Sequence, residues 1–399
     1  MRKIILLIGM LLLPSYSYPT AATDIIKNAD DLIAKKKYNS AFQLLLRNDE
    51  NKTDIDVVLK KIDIALNYFA QSIMHQQFAL VDIDENRDIM DVRGKAGSYS
   101  LYTLPVDTIL SELIKKNPDN GKLYYALGNY YYEVKLKYSN RWLISDKELL
   151  EKAKTNFLKA QKLNVYDYYS LFVIGAIAVE NNDVKSAKRY FLDSIKMNQD
   201  YASSVYNLAY LYYLENDYKN SIPCAKKAFD LYSDNEYKSD AAKMLGNIYL
   251  KNSDYQSAVV YFSRGIELYP DDFYTHNGLL ITYLTMNKID DANAAADKMF
   301  ARHPTWPNVT KFITDDYLGF HQEKELEKFF ARNLSVYKEN EILGNLCFYQ
   351  AAFYSKINNI DKSKDSFIKA KEHFSKVFKP DHPVFKTIDN ALSEYDNKR

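Results

Sequence analysis

The chain has 399 residues, 47% of them hydrophobic, and its charges balance at 53 Lys+Arg against 52 Asp+Glu. One compact core rarely grows beyond about 250–300 residues, so this length indicates several domains or a repeating array. The balanced charge leaves no strong field to attract a phosphate backbone, so we expect no nucleic-acid partner. The 11 Gly are few for this length, which disfavours a turn-rich all-β protein.

Residues 1–22 have the pattern of a signal peptide. Arg2 and Lys3 precede an apolar run at residues 4–13 that is too short to span a bilayer, and small residues follow it. Cleavage is expected after Ala22 or after Ser17, and an uncleaved membrane anchor is the alternative. We therefore expect an exported protein, periplasmic or secreted, with no stable membrane span after the signal is removed.

A pattern of small and aromatic residues repeats along the rest of the chain. Five anchor residues are each followed by small or aromatic residues at offsets +3, +12, +16 and +19. The anchors are Gly175, Ala209, Gly246, Leu280 and Ala351. Small residues at the anchor and at +12 allow two helices of a hairpin to approach closely. Each hairpin then has an apolar face that it buries only by stacking on the next hairpin.

The same register contains a polar turn and a closing proline. Asp183, Asp217 and Asp254 lie at +8, and Pro270 and Pro304 lie at +24 from their anchors. Asn and Asp accept left-handed turn conformations and cap helices. In these features the sequence resembles the tetratricopeptide-repeat (TPR) family, whose unit is a helix–turn–helix of about 34 residues. The resemblance implies an all-α fold: a right-handed α-solenoid of TPR helix hairpins, without a β-sheet.

The register also predicts how the chain is divided. The predicted segments are the signal peptide (1–22), an N-terminal helical region of degenerate repeats with an insertion at 81–102 (23–120), a core repeat array with an insertion at 135–147 (121–306), degenerate and C-terminal repeats (307–379), and a capping helix (380–399). Both insertions fall in turns of neighbouring repeats, so we expect them to meet in one ordered side lobe. Two independent loops are the alternative.

No arrangement of residues indicates catalysis. The 6 His and 2 Cys lack metal-ligand spacing, and there is no phosphate-binding glycine loop or nucleophile elbow. Residues 82–86 imitate the start of a calcium loop, but Arg87 and Arg93 occupy the positions of its turn glycine and its bidentate glutamate. We therefore predict a protein that has no catalytic residues and needs no metal or cofactor. An enzyme with a site in its groove is the rival class.

The family resemblance implies a groove lined by the first helix of each hairpin, with side chains at −6, −3, +1, +4 and +5 from the anchors pointing into it. Trp142, in the polar second insertion, is added because an exposed Trp often finds a partner. The candidate partner-binding residues are Tyr125, Asn129, Tyr132, Trp142, Tyr169, Phe172, Tyr206, Tyr210, Tyr213, Lys243, Asn247, Lys251 and Asn277. The tyrosines have two interpretations, either anchors for a bound peptide or ordinary packing between helices.

These features predict a non-catalytic exported scaffold or adaptor that binds a protein or peptide partner in the groove. Lys243 and Asn247 resemble part of the carboxylate clamp of some TPR proteins, but the basic pair expected around residues 308–312 is missing. The alternative is an envelope component that assists the export of polysaccharide or protein, because tyrosine also stacks on sugars.

Overall fold

The computed structural model describes residues 21–49 and 54–397. The chain divides into two compact units, residues 1–190 and residues 191–399. The predicted signal peptide lies outside the described residues, except that Ala21 and Ala22 begin the first helix. Over the described part of the chain, no helix has both the length and the apolar character needed to cross a membrane.

The first unit combines helices with one small sheet. Its elements are α1 (Ala21–Ala34), α2 (Tyr38–Arg47), α3 (Ile55–Asn67), β1 (Gln71–Ile73), β2 (Gln77–Leu80), a short 3-10 helix (Ile89–Asp91), β3 (Ser100–Thr103), α4 (Val106–Lys116), α5 (Gly121–Tyr138), α6 (Asp146–Lys162), α7 (Tyr168–Glu180) and the beginning of α8 (Val184–Met197).

The described regular elements of the second unit between residues 198 and 397 are all helices. Its elements are α9 (Ala202–Leu214), α10 (Tyr218–Leu231), α11 (Asn235–Lys251), α12 (Tyr255–Leu268), α13 (Phe273–Thr285), α14 (Ile289–Arg302), α15 (Pro307–Gly319), α16 (Glu323–Val336), α17 (Asn340–Lys356), α18 (Ile360–Ser375) and α19 (Pro383–Asn397). The last helix, α19, covers most of the segment that was predicted as a capping helix.

Three consecutive hairpins turn through one left-handed residue followed by an aspartate that caps the next helix. Asn182, Asn216 and Ser253 have φ angles of 57°, 59° and 61°. The aspartate that follows each of them accepts a hydrogen bond, at 3.1–3.2 Å, from a backbone N–H in the first turn of the next helix. The cap satisfies a donor that has no partner within the helix. The α-solenoid of helix hairpins is therefore confirmed.

Glycines in the first helices allow neighbouring hairpins to meet at one buried ring. Phe262 of α12 is fully buried. A Cβ atom added at Gly246 of α11 would lie 2.7 Å from this ring, and one added at Gly278 of α13 would lie 2.4 Å from it. Both distances are shorter than any normal contact, so the two helices reach the ring only because these positions lack a side chain.

Serine at the +12 position adds a hydrogen bond to this close approach. The Ser221 hydroxyl donates to the carbonyl of its anchor, Ala209, at 2.8 Å, and Ser363 donates to the carbonyl of Ala351 at the same distance. Both serines are fully buried. The small residue at +12 therefore also fixes the register between the two helices of a hairpin.

The expectation of a fold without a β-sheet is wrong. The strands β1, β2 and β3 form an antiparallel sheet in that order. Ser72, Phe78 and Tyr102 lie opposite one another on the face that packs inward, where Phe78 is fully buried. The strands are only three or four residues long. Runs this short have no periodicity that distinguishes them from the surrounding helical pattern.

The turn between β1 and β2 attaches the sheet to α5. Met74 and His75 both have positive φ, at 50° and 44°, as in a tight hairpin turn. His75 is fully buried, with Nδ1 2.6 Å from the Ser72 hydroxyl and 3.3 Å from the Tyr138 hydroxyl. Burial lowers the pKa of His75 to about 3, with Lys137 and Arg93 contributing. A buried neutral histidine is therefore part of this junction.

The second insertion is shorter than predicted. Helix α5 continues to Tyr138 and α6 begins at Asp146, so only residues 139–145 of the predicted 135–147 form a loop. The additional turn of α5 packs on the sheet, which favours helix over loop. The first insertion is likewise part of a larger element, because β1 and β2 precede residue 81.

The first insertion and the last turn of α5 contact the same aromatic ring. Arg93, from the first insertion, lies 4.3 Å from the ring centroid of Phe69, and Lys137, on α5, lies 4.4 Å from it. Asp82, at the start of the calcium-like stretch, accepts hydrogen bonds from the backbone N–H and the hydroxyl of Ser40. The acidic stretch is therefore tied to α2 at its first carboxylate.

Substitution of Gly278 tests the close approach at Phe262. We expect Gly278→Ala to lower the free energy of unfolding of the second unit by roughly 1–3 kcal/mol, because its methyl group would overlap the ring. Gly319→Ala is the matched control, since nothing lies within 4 Å of a Cβ atom there. The control should be neutral or stabilising by up to about 1 kcal/mol. Urea unfolding measures both variants, and equal midpoints would contradict the packing.

His75 makes the first unit sensitive to acid. Its folded pKa of about 3 is below the ordinary 6.5, so the unfolded chain binds the extra proton between these values. Stability of this unit should therefore fall as the pH drops from 6.5 toward 3, by roughly 3 kcal/mol at pH 4. Hydrogen exchange of residues 71–80 measures the loss. In His75→Gln this part of the pH dependence should disappear; an unchanged slope would show that another group causes it.

Candidate functional site

The surface formed by the first helices of successive hairpins, which we call the first-helix face, contains an open cavity in the first unit. The cavity has a volume of about 400 Å³ and lies between α3, α5 and the connection from α6 to α7. Its lining residues are Leu59, Ile62, Asp63, Leu66, Asn67, Lys122, Tyr125, Ala126, Asn129, Val165, Tyr166 and Asp167. Most of the wall is apolar, and the amide and charged groups are few, as is typical of a binding pocket.

Tyr125 forms a fixed wall of the cavity. Its hydroxyl donates to the Asp167 carboxylate at 2.9 Å. The other oxygen of Asp167 accepts from the backbone N–H of Ser170 at 2.8 Å and so caps α7. The ring of Tyr125 also packs edge-on against Phe157, at 5.4 Å between centroids. Two contacts therefore hold this side chain before any ligand arrives.

Asn129 contributes an amide without a partner. It follows the small residue Gly128, where an added Cβ atom would lie 3.1 Å from both the carbonyl oxygen of Ala153 and the ring of Phe157. The Asn129 side chain is half-buried and forms no hydrogen bond with any residue that the structure describes. An amide can donate and accept at once, so it can bind the backbone of an extended peptide.

Charged groups at the rim of the cavity are paired within the protein. Asp63 lies 3.2 Å from the Lys60 ammonium group and accepts from the Asn67 amide at 2.7 Å. Lys122 pairs with Asp56 at 2.7 Å, where both side chains are exposed. Exposed pairs of this kind contribute little to stability and rearrange easily. The rim therefore carries both signs of charge around an apolar floor.

The other aromatic residues predicted for this half of the groove contribute to packing. Tyr132 is buried, and Tyr169 and Phe172 are half-buried against the core between α5, α6 and α7. Trp142 is half-buried, with its ring 5.1 Å from that of Tyr138. The pocket that Trp142 fills is thus provided by its own chain.

The three tyrosines on α9 differ in their environments. Burial raises the pKa of Tyr206, whose ring lies 6.2 Å from that of Tyr232. Tyr213 is half-buried against the core of the second unit. Tyr210 is 39% exposed and is the member of the stripe that remains accessible. Their helical spacing on α9 therefore does not make them one continuous surface.

Two of the four basic and amide residues predicted for the second unit are engaged within the protein. Lys243 lies 2.7 Å from Asp240 and 2.8 Å from Asp272, the residue that caps α13. Asn277 is buried and donates to Asp316 of α15 at 2.5 Å. A lysine that is already paired with two carboxylates is not a free counter-ion for an acidic ligand. The resemblance to a carboxylate clamp therefore does not extend to the geometry.

Asn247 and Lys251 stay available on the same face of α11. Lys251 is exposed and Asn247 is half-buried. Neither side chain forms an ion pair or hydrogen bond with a described residue. Asn247 follows Gly246 as Asn129 follows Gly128, so the same repeat position provides an unpartnered amide once in each unit.

A second cavity, which the sequence did not indicate, lies on the first-helix face of the second unit. It has a volume of about 330 Å³ and is lined by Pro307, Glu341, Asn345, Phe348, Tyr349, Phe374, Phe378, His382 and Val384. Its walls come from α15, α17, α18 and α19. Asn345 and Phe348 lie at −6 and −3 from the anchor Ala351, which are offsets assigned to the groove, so their positions in the repeat could have indicated this cavity.

The carboxyl group of Asp316 makes the second unit sensitive to pH. Burial raises the pKa of Asp316 from 3.8 to about 7, although the bond from Asn277 opposes the shift. The folded state therefore holds an extra proton between these values, and stability falls as the pH rises from 4 through 7. We expect Asp316→Asn to remove a decline of roughly 3 kcal/mol between pH 4 and pH 7, measured by hydrogen exchange in α13 and α15. The same decline in the variant would contradict this assignment.

Comparisons with known proteins agree with the repeat. The tetratricopeptide-repeat family model matches residues 202–235 and 244–272. No curated protein matches the chain. Similar solved structures include YrrB, described as a TPR protein with an unusual peptide-binding site, with 17% identity over 45% of this chain and 91% of that chain and a TM-score of 0.36.

Two further solved structures are similar at comparable levels. A tetratricopeptide repeat protein from Parabacteroides merdae has 13% identity over 68% of this chain and 98% of that chain, with a TM-score of 0.43. MamA has 22% identity over 41% of this chain and 93% of that chain, with a TM-score of 0.35. From the family match, the shared anchors and the capped hairpins, we conclude that the chain contains tetratricopeptide repeats.

Proposed function

We propose that this chain is a non-catalytic scaffold that holds a polypeptide partner on its first-helix face. The cavity of the first unit is the principal anchor point. The observation that carries this proposal is the combination, at one place, of apolar walls, a fixed tyrosine ring and the unpartnered amide of Asn129.

An extended polypeptide fits both parts of this site. One apolar side chain of the partner would contact Leu59, Leu66 and Val165. Full burial of a side chain of that type contributes about 1.5–3 kcal/mol to the free energy of binding. The neighbouring peptide group would exchange hydrogen bonds with Asn129. A purely apolar ligand would leave the amide unused, which weakens its binding.

The polar groups of the cavity support a binding role rather than catalysis. Asp167 accepts from Tyr125 and caps α7, and Asp63 pairs with Lys60. These carboxylates are thus engaged in holding the walls in place. We further propose that the protein acts after export, which rests on the signal-peptide pattern of residues 1–22.

Filling the cavity tests the proposal. A phage-displayed library of random peptides is selected on the mature chain, and the enriched peptides are synthesised and titrated. We expect Ala126→Trp to weaken their binding by roughly tenfold or more, because the indole occupies the space for the partner's side chain. Leu136→Trp is the matched control, since Leu136 is exposed on the same helix and does not line the cavity.

The control variant should bind the selected peptides as the unaltered chain does, and both variants should unfold at similar urea concentrations. Failure of the library to enrich any peptide would contradict the proposal. Peptides that bind the Ala126→Trp variant with full affinity would show that the cavity is not the anchor.

A further inference from the structure

The two cavities use equivalent positions of two different repeats. Gly128 of α5 holds a position like that of the anchor Ala351 of α17, and in both helices the residues at −6, −3 and −2 from that position line the cavity. They are Lys122, Tyr125 and Ala126 in the first unit and Asn345, Phe348 and Tyr349 in the second. The repeat therefore creates the same kind of recess twice, while the side chains give the two recesses different chemistry.

The recess of the second unit is lined by aromatic rings. Phe348 and Tyr349 lie edge to face at 5.3 Å, and Phe378 stacks on His382 at 4.2 Å between centroids. Phe374 closes the interior, where it contacts Phe378 at 5.5 Å and is buried. The faces of such rings carry partial negative charge and attract cations.

One carboxylate in this recess has no internal counter-ion. Glu341 lines the cavity from the first turn of α17, and its side chain makes no ion pair or hydrogen bond with any described residue. The nearby carboxylate of Asp315 is different, because it pairs with Lys311 and Lys356, each at 2.8 Å. The N-terminus of a helix favours an acidic side chain, which accounts for a carboxylate in the first turn of α17. This interaction provides no cation to pair with Glu341.

His382 forms one hydrogen bond in the wall of this recess. Its Nδ1 accepts from the backbone N–H of Val384 at 3.3 Å. The Asn345 amide is also occupied, because it donates to the carbonyl of Thr305 at 3.0 Å. Glu341 is the one carboxylate among the residues that line this recess.

We propose that the recess of the second unit binds a cationic side chain, arginine or lysine, of the polypeptide partner. This inference rests on the proposed function and gives one partner residue its chemistry. The cation contacts the ring faces of Phe348, Tyr349 and Phe378 and pairs with Glu341. A neutral apolar side chain would instead cover an unpaired carboxylate, which is costly.

Two small probes of equal shape test the charge requirement. N-acetylarginine amide and N-acetylcitrulline amide are titrated into the full mature chain and followed by saturation-transfer difference NMR. We expect the arginine probe to bind roughly fivefold or more tightly than its neutral isostere. Glu341→Gln should abolish this preference. Glu372→Gln should retain it, since Glu372 is exposed, lies outside the recess and pairs with Lys376 at 3.3 Å.

A second variant tests the rings, because Phe378→Leu keeps an apolar wall and removes a π face. It should weaken the arginine probe and leave the citrulline probe unchanged. Equal binding of the two probes, absence of binding, or a preference that survives Glu341→Gln would overturn the inference. If one of these results is obtained and the selected peptides still lose affinity for the Ala126→Trp variant, the proposed function stands and only the inference about a cationic side chain fails.

Discussion

The structure depends on how closely the first helix of each hairpin approaches the helices around it. Phe262 contacts α11 and α13 where Gly246 and Gly278 lack side chains, and Gly128 allows the same approach to Phe157. A packed interior has no room for an added carbon at such points. Because the glycine faces the neighbouring helix at each of these points, the residue that follows it in the sequence lies on the side of the helix that faces away from that contact. The unpartnered amides of Asn129 and Asn247 both occupy that position.

Charge is used differently on the two parts of the first-helix face. In the second unit, Lys243 and Asn277 connect α11 to α13 and α13 to α15 through Asp272 and Asp316. These bonds join neighbouring repeats, and they occupy the ammonium group of Lys243 and the amide of Asn277, which would otherwise be available to a ligand. The two cavities remain open to a ligand. Each has apolar or aromatic walls and a polar side chain without a partner among the described residues, Asn129 in the first unit and Glu341 in the second. We infer that recognition depends on these recesses and not on a continuous basic groove.

The sequence predicted the hairpins well because their determinants are local and repeated. The anchors, the left-handed turn residues and the aspartate caps recur in one register, and the structure has them in place at Asn182, Asn216 and Ser253. The sheet was missed because its strands are short and are stabilised by distant contacts, such as that of His75 with Tyr138. Periodicity cannot report a contact between residues so far apart in the chain.

The candidate site was predicted only in part, for the same reason. Tyr125 and Asn129 follow from their repeat positions, whereas Leu59 and Val165 enter the cavity from other elements that only tertiary packing brings near. The role of the cavity in binding is tested most directly by photo-crosslinking of a selected peptide to p-benzoylphenylalanine placed at Tyr166, which lines the cavity and is exposed, or at Leu136, which does not line it. We expect a crosslink from position 166 and none from position 136. Crosslinks of equal yield, or only from position 136, would contradict this role of the cavity.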